Sequence, residues 1–140
     1  MQTRNTPIAR AEMLIRKPVA EVFEAFVDPA ITSNFWFSKG STRLEAGKEL
    51  EQDRRILIEW PGDGAPTTVE WTFRPRPDNS TFVSIANTGF AGDDDAIIEQ
   101  IVGSTEGFTL VLAGLKAFLE KGIALNLVAD RFPDGLPLVT

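Results

Sequence analysis

The chain has 140 residues, 43% of them hydrophobic and 24% charged, with 14 Lys and Arg against 20 Asp and Glu for a net charge of −6. That length suits one domain, which buries roughly two thirds of its surface on folding and needs neither a metal nor a disulfide to do so. The acidity repels phosphate backbones, so no nucleic-acid partner is expected. Cys, His and Tyr are all absent, which excludes a disulfide framework, a thiolate nucleophile, a cysteine zinc site and the commonest general base.

Residues 1–10 hold two arginines and no apolar run, and no stretch is expected to approach the ~18 apolar residues of a membrane span. A cytoplasmic protein without membrane insertion is therefore expected. Ile8 to Arg16 alternates, with Ala9, Ala11, Met13 and Ile15 on one face and Arg10, Glu12 and Arg16 on the other, as a half-buried strand should. Pro18 suits a first helical turn, and Val19, Val22, Phe23, Phe26 and Val27 recur at spacings of three and four before Asp28-Pro29 ends the helix. Ala30 to Asn34 reads as one more helical turn, delivering the cluster Phe35-Trp36-Phe37.

Ser38 to Arg54 is polar and reads as one or two weak strands. Arg55 to Trp60 is a firmer strand closed by Pro61-Gly62-Asp63-Gly64. Thr67 to Arg74 places Val69, Trp71 and Phe73 on one face, and Thr81 to Phe90 opposes Val83, Ile85 and Asn87 to Phe82, Ser84 and Ala86, ending at Gly92. Strands joined by such short turns form an antiparallel meander. The acids Asp93-Asp94-Asp95 open a helix that runs to about Lys121 with Gly122 as its stop, about 42 Å at 1.5 Å per residue. Its apolar stripe is Ile101, Thr105, Phe108, Leu112, Leu115 and Leu119, so the helix is expected to lie across the sheet facing Val69, Trp71 and Phe73. From about residue 129 a frayed tail is expected on a single domain spanning 1–140.

The order strand, short helix, helical turn, meander and long C-terminal helix resembles the helix-grip fold of the START-like superfamily. Lys17-Pro18-Val19 with Val22-Phe23, Phe26-Val27-Asp28-Pro29 and Phe35-Trp36 resembles the opening motif of the family related to the activator of the Hsp 90 ATPase. Gly107-Phe108, Leu112, Leu115 and Glu120-Lys121-Gly122 resemble its closing helix, with Phe108 where that family usually has Trp. The resemblance implies an α+β fold, a curved antiparallel sheet wrapped around the long C-terminal helix with a hydrophobic cavity between them. It also calls for two hairpin-joined strands where Gly47-Lys48-Glu49-Leu50 runs almost directly into Asp53-Arg54-Arg55, about 15 to 20 residues short of two ordinary strands and a turn. Either the sheet is shortened, or a segment is missing from the sequence near Lys48-Glu49; the latter is favoured because Lys48 reads as the middle of one strand and Glu49-Leu50-Glu51 as the end of another, with no turn residue between them. A shortened sheet would bare one edge of Arg55 to Trp60 for pairing with a second chain.

The residues expected to line the cavity are Phe23, Phe26, Trp36, Trp60, Trp71, Phe73, Asn87, Thr105, Phe108 and Leu112, with Asn87 or Thr105 orienting a polar end. Singly, each aromatic is more often plain core, and Thr105 more often bonds back to its own helix. Asp93-Asp94-Asp95 reads as a helix cap rather than a calcium site, because adjacent carboxylates do not reproduce the spacing of a calcium loop. Asn87, Ser104, Thr105 and Glu106 are the polar groups nearest the inferred inner surfaces, yet no nucleophile and base stand at any useful spacing. No catalytic residue, metal or cofactor is therefore assigned. The expected function is binding of a small hydrophobic molecule or lipid by a monomer or weak dimer. The alternatives are a chaperone-associated interaction module and a polyketide cyclase-type enzyme, the second weakened by the missing His and Tyr.

Overall fold

The computed structural model describes residues 7–32, 35, 49–60 and 66–134. β1 (Ile8–Ile15) leads into α1 (Val19–Val27) and α2 (Pro29–Thr32). The meander comes next as β2 (Glu49–Glu51), β3 (Arg55–Trp60), β4 (Thr67–Pro75) and β5 (Thr81–Thr88), and the chain closes with α3 (Asp94–Lys121) and α4 (Leu127–Arg131). The five strands form one antiparallel sheet in the order β1-β5-β4-β3-β2. The α+β architecture expected from the sequence is thus the one observed, with α3 as its long C-terminal helix.

Alternation sets which face of the sheet is dry. Val69, Trp71 and Phe73 of β4 and Val83 and Ile85 of β5 are buried, whereas Glu70, Thr72 and Arg74 point the other way and stay at least partly solvated. Arg55 straps the outer face, donating to Glu70 of β4 at 2.5 Å and to Glu51 of β2 at 3.1 Å. Helix α1 buries Val22, Phe23, Ala25, Phe26 and Val27 against the dry face. The buried Thr32 hydroxyl ties α2 to α1, donating to Ala25 O at 2.6 Å and lying 2.8 Å from Asp28 O.

Several boundaries differ from the sequence reading. Pro18 caps α1 from extended backbone (φ −62°, ψ 152°) instead of entering its first turn. β5 stops at Thr88, earlier than expected, because Gly89 takes φ +93°, outside the range of a strand. The stretch expected to fray from about residue 129 includes the end of α4, which is pinned because Val128 is buried and Arg131 donates to both Glu106 carboxylate oxygens at 2.5 and 3.2 Å. Helix α3 has the length and apolarity to cross a membrane, closer to such a span than the sequence reading allows. Its Gly107, Phe108, Val111, Leu112, Gly114 and Leu115 are nevertheless buried, so it is the core helix.

Between Leu44 and Asp53 only the last part is described. There β2 folds onto β3 through Gln52-Asp53-Arg54, with Asp53 in the left-handed region at φ +59°. The expected discontinuity at Lys48-Glu49 lies outside the described residues.

Candidate functional site

Five of the residues expected to line a cavity meet in T-shaped and tilted ring contacts. Phe23 packs on Phe73 at 5.3 Å between ring centroids, and Phe26 lies 5.8 Å from Phe73 and 6.0 Å from Trp71. Trp71 in turn takes Phe108 of α3 at 6.0 Å in a T-shaped contact. Tilted and perpendicular rings place positive edges against negative faces, the arrangement that aromatic pairs prefer. Leu112 is fully buried in the same cluster, and Phe35 joins through Phe26 at 5.5 Å. These residues converge because α1, β4 and α3 each turn an apolar stripe to one point. Trp36 lies outside the described residues, and of Trp60 only its place at the end of β3 is described.

The polar candidates sort differently. Asn87, 3% exposed, projects from the dry face of β5, where its Nδ2 donates to Thr68 O at 2.9 Å. Its Oδ1 accepts the Ser104 hydroxyl of α3 at 2.8 Å. Thr105 is half-buried on the neighbouring position of the helix, and Glu106 is committed to Arg131. By sequence Thr105 ranks above Ser104, because Thr105 falls within the apolar stripe. The helix is rotated so that position 104 meets Asn87, a matter of one residue, or about 100° of helix.

Around that Asn87-Ser104 bridge, α3 changes character. From Gly107 to Leu115 six side chains or backbone positions are buried, but between Asp94 and Glu106 none is, although this half carries Ile97, Ile98, Ile101 and Val102. Ile98 is 58% exposed and Val102 62%. A helix that packs at one end and stands partly solvated at the other leaves its apolar N-terminal half open beside a fixed polar pair. The cap itself is ordinary: the Asp93 carboxylate accepts from Ala96 N at 2.8 Å, with Asp94 and Asp95 favoured in the first turn by the helix dipole.

At the other end of α3 a polar clasp holds the helix to β1. Lys116 Nζ donates to Leu14 O at 2.9 Å and to Glu120 Oε2 at 2.8 Å, and the same carboxylate oxygen accepts Arg16 N at 2.6 Å. Burial pushes the Glu120 carboxyl up, but the bonds from Lys116 and from Arg16 N outweigh it and hold the group below the usual carboxylate range. By sequence Lys116 and Glu120 lie merely off the stripe; their i, i+4 spacing is the signal that could pair them.

No family model matches the chain, and no curated protein does. Solved structures do. The protein SSP2350 of Staphylococcus saprophyticus superposes with a TM-score of 0.71 at 27% identity, over 84% of this chain and 95% of that one. CalU16 of Micromonospora echinospora gives 0.64 at 17% identity, over 93% of each chain. PFC0360w, an HSP90 activator from Plasmodium falciparum, gives 0.64 at 16% identity, over 81% of this chain and 96% of that one. With a five-stranded antiparallel sheet and the long closing helix, the chain has the START-like, helix-grip fold.

Proposed function

We propose that this START-like chain binds a small, largely apolar molecule between the N-terminal half of α3 and the adjoining end of the sheet. One observation carries the reading: α3 keeps Ile98 and Val102 exposed and Ile101 half-buried, where a helix with no further role would bury such a face or make it polar. The Asn87-Ser104 pair supplies the fixed polar contact that such sites place among apolar walls, with one Asn87 N–H and further lone pairs left to offer a hydroxyl or carbonyl. The buried polar residues among those described are Thr32, Thr67, Ser80, Thr81, Ser84 and Asn87, none of which ionises at neutral pH. A ligand held there keeps any charged group in water, since an unpaired charge is costly to bury. The aromatic cluster of Trp71, Phe73 and Phe108 then acts as the floor that holds the site's walls in place. The reading is of a binding protein, and its place of work is taken to be the cytoplasm.

The test is native mass spectrometry of the purified chain for a co-purifying molecule, followed by titration with the neutral apolar dye Nile red. Saturable uptake of about one dye per chain is expected, with Ile101→Trp weakening it about tenfold by occupying the space. Absence of both a bound molecule and saturable uptake would overturn the reading. Chaperone docking is the second reading, favoured by the fold shared with an HSP90 activator; recovery of an Hsp90 protein by the chain, with no ligand uptake, would select it.

A further inference from the structure

The end of the molecule where α3 stops differs in charge from the rest of this acidic chain. The strand registers bring the ends of β1 and β4 and the start of β5 to that end, with Leu14 and Arg74 flanking Phe82, and Ile15 and Pro75 flanking Thr81. Arg16 and Lys17 follow β1 and Arg76 follows β4, while the Glu120 carboxylate that accepts Arg16 N sets Lys121 and Gly122 beside them. Arg16, Arg74, Arg76 and Lys121 are exposed and Lys17 is half-buried, and no ion pair among the described residues takes any of them. The acids at this end are Glu21 in the first turn of α1, Asp78, which accepts from Ser80, and Glu120, which accepts from Lys116. Cations therefore prevail here, although the whole chain carries −6.

Apolar side chains stand out from the same end. Gly122, at φ +69°, turns the chain back, and Ile123 N is held at the helix tip by Ala117 O at 3.3 Å. Ile123 is nevertheless 50% exposed and Leu125 45%. Bare aliphatic side chains beside unpaired cations are the combination that seats a protein on an anionic bilayer, where the aliphatics enter the headgroup boundary and Lys and Arg are drawn to the lipid phosphates. We infer that this end of the molecule docks on a membrane surface rich in anionic lipid, lying on it without spanning it. The net charge does not oppose this. Asp93, Asp94, Asp95 and Glu99 sit at the start of α3, about 42 Å from its tip at 1.5 Å per residue, against a screening length of about 8 Å at physiological ionic strength. An acidic protein surface would answer the same cations, but it would also have to offer a pocket for Ile123 and Leu125, whereas a bilayer receives them with no shape to match. The inference does not rest on the ligand-binding reading, since the open half of α3 lies at the opposite end of that helix.

Co-sedimentation of the full chain tests it, with vesicles of phosphatidylcholine alone and of phosphatidylcholine containing about 40% phosphatidylglycerol, at about 50 mM and about 500 mM NaCl. Binding is expected to the anionic vesicles only, and to be lost at the higher salt. Arg16→Gln with Lys121→Gln should weaken it about tenfold or more, and Ile123→Ser with Leu125→Ser about tenfold. Glu99→Lys changes the net charge by as much in the other direction but at the far end of α3, and should leave binding within about twofold. All five side chains are exposed, and circular dichroism checks that each variant is folded. The inference is overturned by no binding to the anionic vesicles, by equal binding to both kinds, by indifference to either double substitution, or by a larger gain from Glu99→Lys. Retention of the chain on polyglutamate without vesicle binding also overturns it, and assigns this end to an acidic protein partner.

Discussion

Asn87 occupies a strand position whose side chain faces the dry side of the sheet, and an amide there is tolerated only because both ends are bonded, to Thr68 O and to the Ser104 hydroxyl. Asn87→Ala should therefore cost about 2 kcal/mol in urea unfolding, and Ser104→Ala about 1 kcal/mol, with the double variant losing less than the sum because the two share a bond. Strict additivity would show that the bridge does not exist in solution. That Asn87 faces inward is legible in the alternation of Val83, Ile85 and Asn87. Its partner is not, because one residue of helix rotation decides between Ser104 and Thr105, and the rotation depends on how Phe108 and Leu112 seat against Trp71. A similar distinction holds for Glu106, which the sequence places near the inner surface and which α4 takes up through Arg131.

At the scale of the element, two of the three glycines inside α3, Gly103 and Gly114, have opposite reasons to be there. A Cβ on Gly103 would meet nothing within 4 Å, whereas a Cβ on Gly114 would lie 3.1 Å from Phe35 Cβ. Gly103→Ala should thus stabilise by about 0.5 to 1 kcal/mol through helix propensity and loss of unfolded-chain entropy. Gly114→Val should destabilise by about 2 kcal/mol or more, because the branched side chain drives Phe35 off Phe26. Thermal melts of the two variants moving in the same direction would contradict this picture of the helix. The limits of α3 are plain in the sequence, since Asp93 and Gly122 carry the cap chemistry, and Gly122 does take φ +69°. Its division into a packed half and an open half is not, as Ile101 and Leu112 belong to one stripe and only the sheet's extent determines which of them is covered.

For the whole molecule the absence of His and Cys predicts a flat stability profile near neutrality, since no side chain has its ordinary pKa between pH 5.5 and 8. Below that plateau Glu120 matters. Its folded-state pKa is depressed, so the unfolded chain takes up the proton first; the stability due to the clasp is complete above the ordinary carboxylate pKa of about 4.3 and is lost as pH falls through and below it. Urea midpoints should be level from about pH 6 to about pH 8 and fall in acid, and Glu120→Gln should flatten part of the acid limb while lowering the plateau. An unchanged acid limb in that variant would detach Glu120 from it. The clasp joins residues about a hundred positions apart, which no local pattern announces. By itself the sequence determined the order and type of the elements from β1 to α3 apart from the weak β2, the dry faces of β1, β3, β4 and β5 and the ends of the long helix, because periodicity, proline and glycine geometry and capping act within a few residues. Only the tertiary structure decided that Asn87 bonds Ser104, that Lys116 and Glu120 close on β1, that α4 returns to Glu106 and that half of α3 stays open, because each depends on how far the sheet reaches and on the angle at which one helix crosses it.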